Sequence, residues 1–163
     1  MGATSLPAAD LDSRLIALNA GYARSLDDGN FEAWPEFFLE DGLYKLTSAD
    51  NHAQGMEAGV IYADSRNMLR DRISALRVAN IYERHRYRHI VGLPLVMGTE
   101  GGAARTEASF LVVRIMRDGT MDLFATGRYL DLVEADAQGA LRFRERIAVC
   151  DSNRFDTLVA IPL

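Results

Sequence analysis

Cysteine is almost absent from this sequence of 163 residues, since Cys150 is the only one. A disulfide within the chain is therefore impossible, and zinc or iron–sulfur sites that need several cysteines are excluded by count. The preceding residues, Ile147–Val149, are typical of a buried strand. In such a strand a packed thiol is more common than a nucleophile.

Long apolar runs and blocks of like charge are also missing. No apolar segment approaches the roughly 20 residues that a transmembrane helix needs, and residues 1–9 lack the basic region and apolar core of a signal peptide. The formal net charge is −5, whereas nucleic-acid binding needs a dominant basic surface. We therefore expect a cytoplasmic protein that binds neither membranes nor nucleic acids.

Histidine is scarce as well, with only His52, His85 and His89. A metal site built on histidine needs several ligands that converge on one ion, for example two histidines and a carboxylate. His85 and His89 could share a metal on a helix, but the surrounding residues favour a loop entering a strand. Four residues along a strand separate side chains by roughly 13 Å. We therefore expect no metal and no cofactor in this chain.

Helical periodicity dominates the first half of the sequence. Leucines and a tyrosine recur every three or four positions over residues 11–26, which predicts a helix capped by Asp10 and ended by Gly29. A short second helix is predicted over residues 31–39, beginning just before Pro35 because proline fits only in a first turn. A third is predicted over residues 64–77, capped by Asp64 or Ser65. Its predicted inner face consists of Leu69, Ile73 and Leu76.

Strand patterns dominate the second half. The predicted strands are Leu43–Thr47, Ile90–Met97, Glu107–Met116, Met121–Val133 and Leu141–Asp151. Asp41-Gly42, Asp118-Gly119 and residues 136–139 are predicted turns, and Gly92 and Pro94 indicate a bulge or an edge strand. The last strand is predicted to place on one face Phe143, Glu145, Ile147 and Val149. Helices followed by hairpin-linked strands predict one α+β domain over residues 1–163, with residues 1–9 flexible.

Several segments along nearly the whole chain resemble the small (β) subunits of Rieske non-haem iron ring-hydroxylating dioxygenases. They are Leu26–Asp28, Asp41–Tyr44, Ile61–Ser65, Met68–Ile73, Arg88–Ile90, Phe110–Arg114, Gly127–Tyr129 and Arg146–Ser152. Within this family, residues 80–89 and 156–163 are most similar to the small subunits of terephthalate dioxygenases. The small subunits of salicylate and anthranilate hydroxylases are similar to a lesser degree.

The resemblance implies a cone-shaped fold of the nuclear transport factor 2-like kind, with helices packed in a strongly curved antiparallel sheet. It also implies a structural, non-catalytic subunit in a complex of three large and three small subunits. The large subunit would hold the Rieske [2Fe–2S] cluster, the mononuclear Fe(II) and the aromatic substrate for cis-dihydroxylation. A separate reductase would supply electrons from NAD(P)H.

Two groups of residues are candidates for roles outside the apolar core. The alternating segment Arg84, His85, Arg86, Tyr87, Arg88 and His89 is a candidate subunit interface, because arginine and aromatic side chains suit such contacts. Asp71, Arg72 and Arg128 lie among apolar positions, where a charge needs a partner. We expect them to form structural ion pairs between helix and sheet.

The main alternative is a stand-alone enzyme or a small-ligand-binding module. The same cone fold hosts isomerases and dehydratases, in which an inward carboxylate or histidine acts as a general base. In this chain such a pocket would be lined by Tyr22, Asp41, Tyr44 and His89. An open cavity with convergent polar groups would favour the alternative, whereas an interior filled by side chains would favour the structural subunit.

Overall fold

The computed structural model describes residues 8–57, 59–78, 84–154 and 161–163. Its helices are α1 (Ala8–Asp27), a 3₁₀ helix (Phe31–Phe37), α2 (Ala49–Ala53) and α3 (Arg66–Val78). Its strands are β1 (Phe38–Ser48), β2 (Ile61–Ala63), β3 (His85–Val91), β4 (Leu95–Glu100), β5 (Ala103–Met116), β6 (Met121–Ala135) and β7 (Leu141–Cys150). The predicted α+β class is confirmed. Most of the segment predicted to be flexible, residues 1–7, lies outside the described residues, and residues 8 and 9 begin α1.

The described strands form one curved sheet in the order β2-β1-β7-β6-β5-β3, with β4 also paired to β5. All pairs are antiparallel except β1 with β7, which run parallel. Helix α1 packs against β3 and β7, and α3 packs against β1 and the 3₁₀ helix. The core therefore lies between the helices and the inner face of the sheet.

Helix α1 buries the periodic residues that predict it, including Leu15, Tyr22 and Leu26. It begins at Ala8, before the predicted cap. The expectation that Asp10 caps this helix is therefore wrong, because Asp10 already lies in the first turn, 3.9 Å from Arg14 in an i,i+4 ion pair. Gly29 follows the helix with a φ of 72°, a left-handed conformation that glycine adopts without a steric penalty.

The second helical segment is a 3₁₀ helix that begins at Phe31, earlier than predicted, and ends at Phe37. Pro35 lies inside it, because proline has no N–H group to continue an α-helical ladder and the tighter turn forms instead. The segment buries Phe31 and Trp34. Helix α3 matches its prediction more closely, since Ser65 accepts a hydrogen bond from the Met68 N–H and the predicted inner face is buried.

Two β-bulges, one in β1 and one in β7, change which side chains of these strands point inward. In β1, the pairing with β7 jumps from Phe38 to Leu43, so Asp41-Gly42 lies inside a strand and does not form a turn. In β7, Arg144 is skipped in the pairing with β6, because Val133 pairs with Phe143 and Leu132 with Glu145. The prediction that Phe143, Glu145, Ile147 and Val149 share one face is therefore wrong. The residues that face inward with Phe143 are Arg146, Ala148 and Cys150.

The segment predicted as one interrupted strand over Ile90–Met97 consists of two strands, β3 and β4. Both pair with β5, and they are separated by residues 92–94. The Gly92 N–H still donates to the Ser109 carbonyl at 2.8 Å, whereas Pro94 has no N–H to donate. The predicted edge position is thus confirmed. The predicted turns at Asp118-Gly119 and residues 136–139 also join neighbouring strands.

We expect Gly127→Ala to lower the free energy of unfolding by at least about 2 kcal/mol, because its Cβ would overpack the sheet. An added Cβ would lie 2.0 Å from the Val149 carbonyl oxygen and 2.9 Å from Phe110 Cζ. Urea denaturation measures the change. Gly92→Ala is the control, since its Cβ would meet nothing closer than 3.4 Å. Equal stability of the two variants would contradict the close contact of β6 with β7.

Candidate subunit interface

The candidate segment Arg84–His89 divides into an outward and an inward set. Residues from His85 onward form β3, in which successive side chains point to opposite faces. Arg84, Arg86 and Arg88 are exposed, whereas Tyr87 and His89 are buried and His85 is half-buried. Only the three arginines therefore present their side chains to a partner. The interface role of the segment remains a prediction.

The inward His89 binds Asp27, the last residue of α1. Its Nδ1 lies 2.6 Å from one carboxylate oxygen, and its backbone N–H donates to both oxygens at 3.2 and 3.0 Å. Both side chains are almost inaccessible to solvent. Since β3 is an edge strand, the Asp27 carboxylate satisfies a backbone donor that would otherwise face an open sheet edge. This contact attaches the end of α1 to the edge of the sheet.

Two of the four residues proposed for an enzymatic pocket, Tyr22 and Tyr44, share a hydrogen-bond partner, and the pocket itself remains a prediction. The Tyr22 and Tyr44 hydroxyls both donate to the Leu163 carbonyl, at 2.7 and 2.9 Å. The bulge in β1 places Asp41 on the exposed surface. His89 is engaged by Asp27 at the sheet edge.

The space between Tyr22 and Tyr44 is occupied by the chain itself. Leu163 is fully buried there, and its N–H also donates to the Tyr44 hydroxyl at 3.1 Å. Burial raises the pKa of Tyr22, and it raises the pKa of Tyr44 well above the ordinary value. Both hydroxyls are therefore neutral hydrogen-bonding groups of the core.

The main polar contact of the core involves Arg146, which the sequence interpretation does not single out. Its Nε and Nη2 donate to the two oxygens of Asp131 at 2.9 and 2.8 Å, and Nη2 also donates to Asn19. The guanidinium carbon lies 3.8, 3.9 and 4.3 Å from the ring centroids of three aromatic residues. These rings belong to Tyr129, Phe143 and Tyr22.

This cation and its carboxylate partner are completely buried, which makes them interdependent. Burial acts to lower the pKa of Arg146, but attraction and hydrogen bonds to Asp131 outweigh it and raise the pKa. The signal that could have revealed the pair is the cross-strand register, since Asp131 and Arg146 lie directly opposite each other in β6 and β7. That register depends on the bulge at Arg144, which strict alternation does not predict.

The residues that were expected to form ion pairs between helix and sheet lie in other surroundings. Asp71 is exposed, because the inner face of α3 is formed by other positions of the helix. Arg128 points outward from β6 and lies 3.4 Å from Glu107 on a neighbouring strand. The expectation that these two residues pair between helix and sheet is therefore wrong. Arg72 is half-buried, and desolvation lowers its pKa.

Other arginines of α3 make the contacts to the neighbouring elements. Arg77 pairs with Glu32 at 2.7 Å. Arg70 pairs with Glu36 at 2.8 Å, and Arg66 pairs with Glu40 at 2.6 Å. These carboxylates belong to the 3₁₀ helix and to β1. The pairs are largely exposed, so we assign each of them a modest contribution to stability of at most about 1 kcal/mol.

Apolar side chains collect on the outer face of the sheet, near the β5–β6 turn. We call this set the outer patch; its members are Ile90, Leu111, Val113, Ile115, Met121 and Leu123. They are neighbours across β3, β5 and β6. The exposed fractions of Ile90, Met121 and Leu123 are 59%, 68% and 61%. Contiguous exposed apolar surface is typical of a protein–protein contact.

The described ranges contain neither a metal-binding cluster nor a helix that could span a membrane. Within residues 8–57, 59–78, 84–154 and 161–163, no three His, Cys, Asp or Glu side chains form a group that could hold a metal ion. In the same ranges, no helix combines the length and apolar character that crossing a membrane requires. Cys150 is buried in β7, and burial raises the pKa of its thiol to about 12, as expected for a packed side chain.

Known proteins are similar to this chain in sequence, and a solved structure is similar to it in fold. Residues 22–157 match the family model described as "Ring hydroxylating beta subunit". The chain is 52% identical over 150 residues to the Comamonas sp. protein "Terephthalate 1,2-dioxygenase, terminal oxygenase component subunit beta 1", covering 92% of this chain and 97% of that one. It is 34% identical to the anthranilate 1,2-dioxygenase small subunit of Burkholderia cepacia, covering 91% and 92% of the two chains.

A solved structure from Novosphingobium aromaticivorans, described as the β subunit of an aromatic-ring-hydroxylating dioxygenase, superposes closely on this chain. The TM-score is 0.86 at 36% sequence identity, and the match covers 96% of this chain and 99% of the other. This superposition confirms the predicted nuclear transport factor 2-like fold.

We expect Arg146→Met to lower the free energy of unfolding by about 3–5 kcal/mol, because it leaves the Asp131 carboxylate buried without a counter-ion. Arg128→Met is the matched control, since that arginine is 57% exposed in its ion pair and its loss should change stability by no more than about 1 kcal/mol. Adding Asp131→Leu to Arg146→Met should recover part of the stability. Chemical denaturation measures all three variants, and equal losses for Arg146→Met and Arg128→Met would contradict the central role of Arg146.

Proposed function

Because this chain belongs to the family of ring-hydroxylating dioxygenase β subunits, we propose that it acts as a structural subunit that positions catalytic large subunits and performs no chemistry itself. The observation that carries this proposal is that polar side chains of the core form hydrogen bonds within the chain. Three candidate catalytic side chains bond within the chain, since Tyr22 and Tyr44 donate to the Leu163 carbonyl and His89 contacts Asp27. In contrast, Ile90, Met121 and Leu123 of the outer patch are exposed in the described part of the chain.

The proposed assembly contains three large and three small subunits. The large subunit is proposed to hold the Rieske [2Fe–2S] cluster and the mononuclear Fe(II), and a reductase to deliver electrons from NAD(P)H. Ligand count supports this division, because a Rieske cluster needs two cysteines and this chain has one. The chain would then act on electron transfer only indirectly, by fixing the distances between large subunits.

The proposed substrate of the assembly is terephthalate, which would be cis-dihydroxylated on the large subunit. The support is the 52% identity to the terephthalate dioxygenase relative over 92% of this chain. Anthranilate is a weaker alternative, since the relative named for it is 34% identical, and salicylate is another.

Omitting this chain from co-expression with its large subunit should reduce both the amount of assembled oxygenase and its activity, while the order of substrate preference stays the same. The complete complex should contain iron and show iron–sulfur absorbance. Native mass measurement, metal analysis and turnover of a panel of aromatic carboxylates test these expectations. Turnover by the isolated chain, or a substrate preference that follows the small subunit, would contradict the structural role.

The outer patch is expected to contribute directly to assembly. Met121→Asp combined with Leu123→Asp should weaken association with the large subunit by about 2 kcal/mol or more, roughly thirtyfold, because charges would be buried at an apolar contact. Met68→Asp is the control, because Met68 is an exposed methionine on α3, away from the outer face of the sheet. Complexes are quantified by native mass measurement over a dilution series. If all variants assemble equally well, the outer patch is not part of the contact.

A further inference from the structure

Three arginines near the β5–β6 turn differ from most arginines of the sheet and helices. Lys45 is the only lysine, so nearly every basic residue is an arginine. Across the sheet and helices, arginines such as Arg66, Arg142 and Arg144 lie within 4.0 Å of carboxylates. Arg84, Arg86 and Arg117 are exposed, and they form no ion pair with any carboxylate in the described part of the chain.

These three arginines line one hollow of about 330 Å³, which we call the arginine hollow. Arg84 immediately precedes β3, Arg86 lies at its start, and Arg117 comes from the turn between β5 and β6. Arg86 lies opposite Ile115 in the β3–β5 pairing, and Ile115 in turn lies opposite Met121. The arginine hollow therefore adjoins the outer patch.

The acidic residues nearest to Arg117 in sequence already have partners. The Asp118 carboxylate accepts a hydrogen bond from the Thr120 N–H at 2.9 Å, which stabilises the β5–β6 turn. The Asp122 carboxylate pairs with Arg114 at 2.9 Å. Asp118 and Asp122 therefore do not neutralise the positive charges of the three arginines in the arginine hollow.

We propose that the arginine hollow binds an acidic segment of the large subunit, whose carboxylates lie between the three guanidinium groups. This inference rests on the function proposed above. Planar guanidinium groups pair with carboxylates through two parallel hydrogen bonds, which gives both affinity and orientation. A charged rim beside an apolar centre is the usual composition of a protein–protein contact. The outer patch would supply the centre, and the arginine hollow would supply the rim.

The double variant Arg86→Glu/Arg117→Glu tests the proposal in complexes co-expressed with the large subunit. Its apparent Kd should rise at least about tenfold relative to the unmodified complex, because acidic groups would then face acidic groups. The affinity of the unmodified complex should fall with rising sodium chloride concentration, and the double variant should lose much of this dependence. Arg86→Gln/Arg117→Gln, which removes charge without adding repulsion, should weaken binding in the same direction.

Arg105→Glu is the matched control. Arg105 lies on the same strand as Ile115, is exposed on the same outer face and has no carboxylate partner among the described residues. It donates only a long hydrogen bond of 3.4 Å to the Met97 carbonyl. Ten residues of strand place it about 33 Å from the arginine hollow. Its substitution should leave the Kd and the salt dependence unchanged, and thermal unfolding of each isolated variant checks that the fold is retained.

The outcomes separate this proposal from the function on which it rests. If Arg86→Glu/Arg117→Glu and Arg105→Glu assemble equally well, the arginine hollow is not the contact, while the structural role stands. If the unmodified chain forms no complex with a large subunit, both proposals fail. If the double variant changes self-association of the isolated chain instead, the partner is a second copy, and the proposal for the large subunit is overturned.

Discussion

The buried pair of Arg146 and Asp131 is the constraint on which the interior of this protein depends. Transferring both charges out of water is expensive, and it is tolerated only where geometry and hydrogen bonds compensate. Here the carboxylate binds two guanidinium nitrogens and Asn19 accepts a third hydrogen bond, while Nη1 has no partner in the described structure. Because these groups come from α1, β6 and β7, the pair fixes three elements relative to one another.

The bulge at Arg144 makes this pair possible. In a regular strand, Phe143 and Arg146 would point to opposite faces, since they are three residues apart. The skipped residue allows both side chains to face inward, where the Phe143 ring lies 3.9 Å from the guanidinium carbon. A second bulge lies beside it in β1, at Gly42. An added Cβ at Gly42 would approach Phe38 and the Leu39 carbonyl to 2.9 Å. Bulges bend and twist a strand, so these two also contribute to the curvature that surrounds the helices.

Local features of this fold are predictable from the sequence, whereas features set by distant partners are not. The inner face of α3 and the turn at Asp118-Gly119 follow from short-range periodicity and turn chemistry, and the structure contains both. The strand phase after Arg144 depends on pairing with β6, so simple alternation groups Glu145 with Phe143 and does not predict that Arg146 faces inward. Arg128, in contrast, follows regular alternation between the buried Gly127 and Tyr129, so its outward position contradicts the expected inward charge. The position of Leu163 between Tyr22 and Tyr44 joins residues more than a hundred positions apart, and no local pattern contains that information.

The inner and outer faces of the sheet differ in how their side chains are used, and this difference bears on function. On the inner face, groups capable of proton transfer or ligand binding are held by the chain itself, as Leu163 holds Tyr22 and Asp27 holds His89. Freeing these side chains for catalysis would break contacts that also attach α1 to the sheet. The free energy of unfolding would therefore fall. The outer face carries no such constraint, and its apolar side chains and arginines gain most by meeting another protein surface. This difference between the two faces supports the proposed structural role, since a fold alone does not determine function.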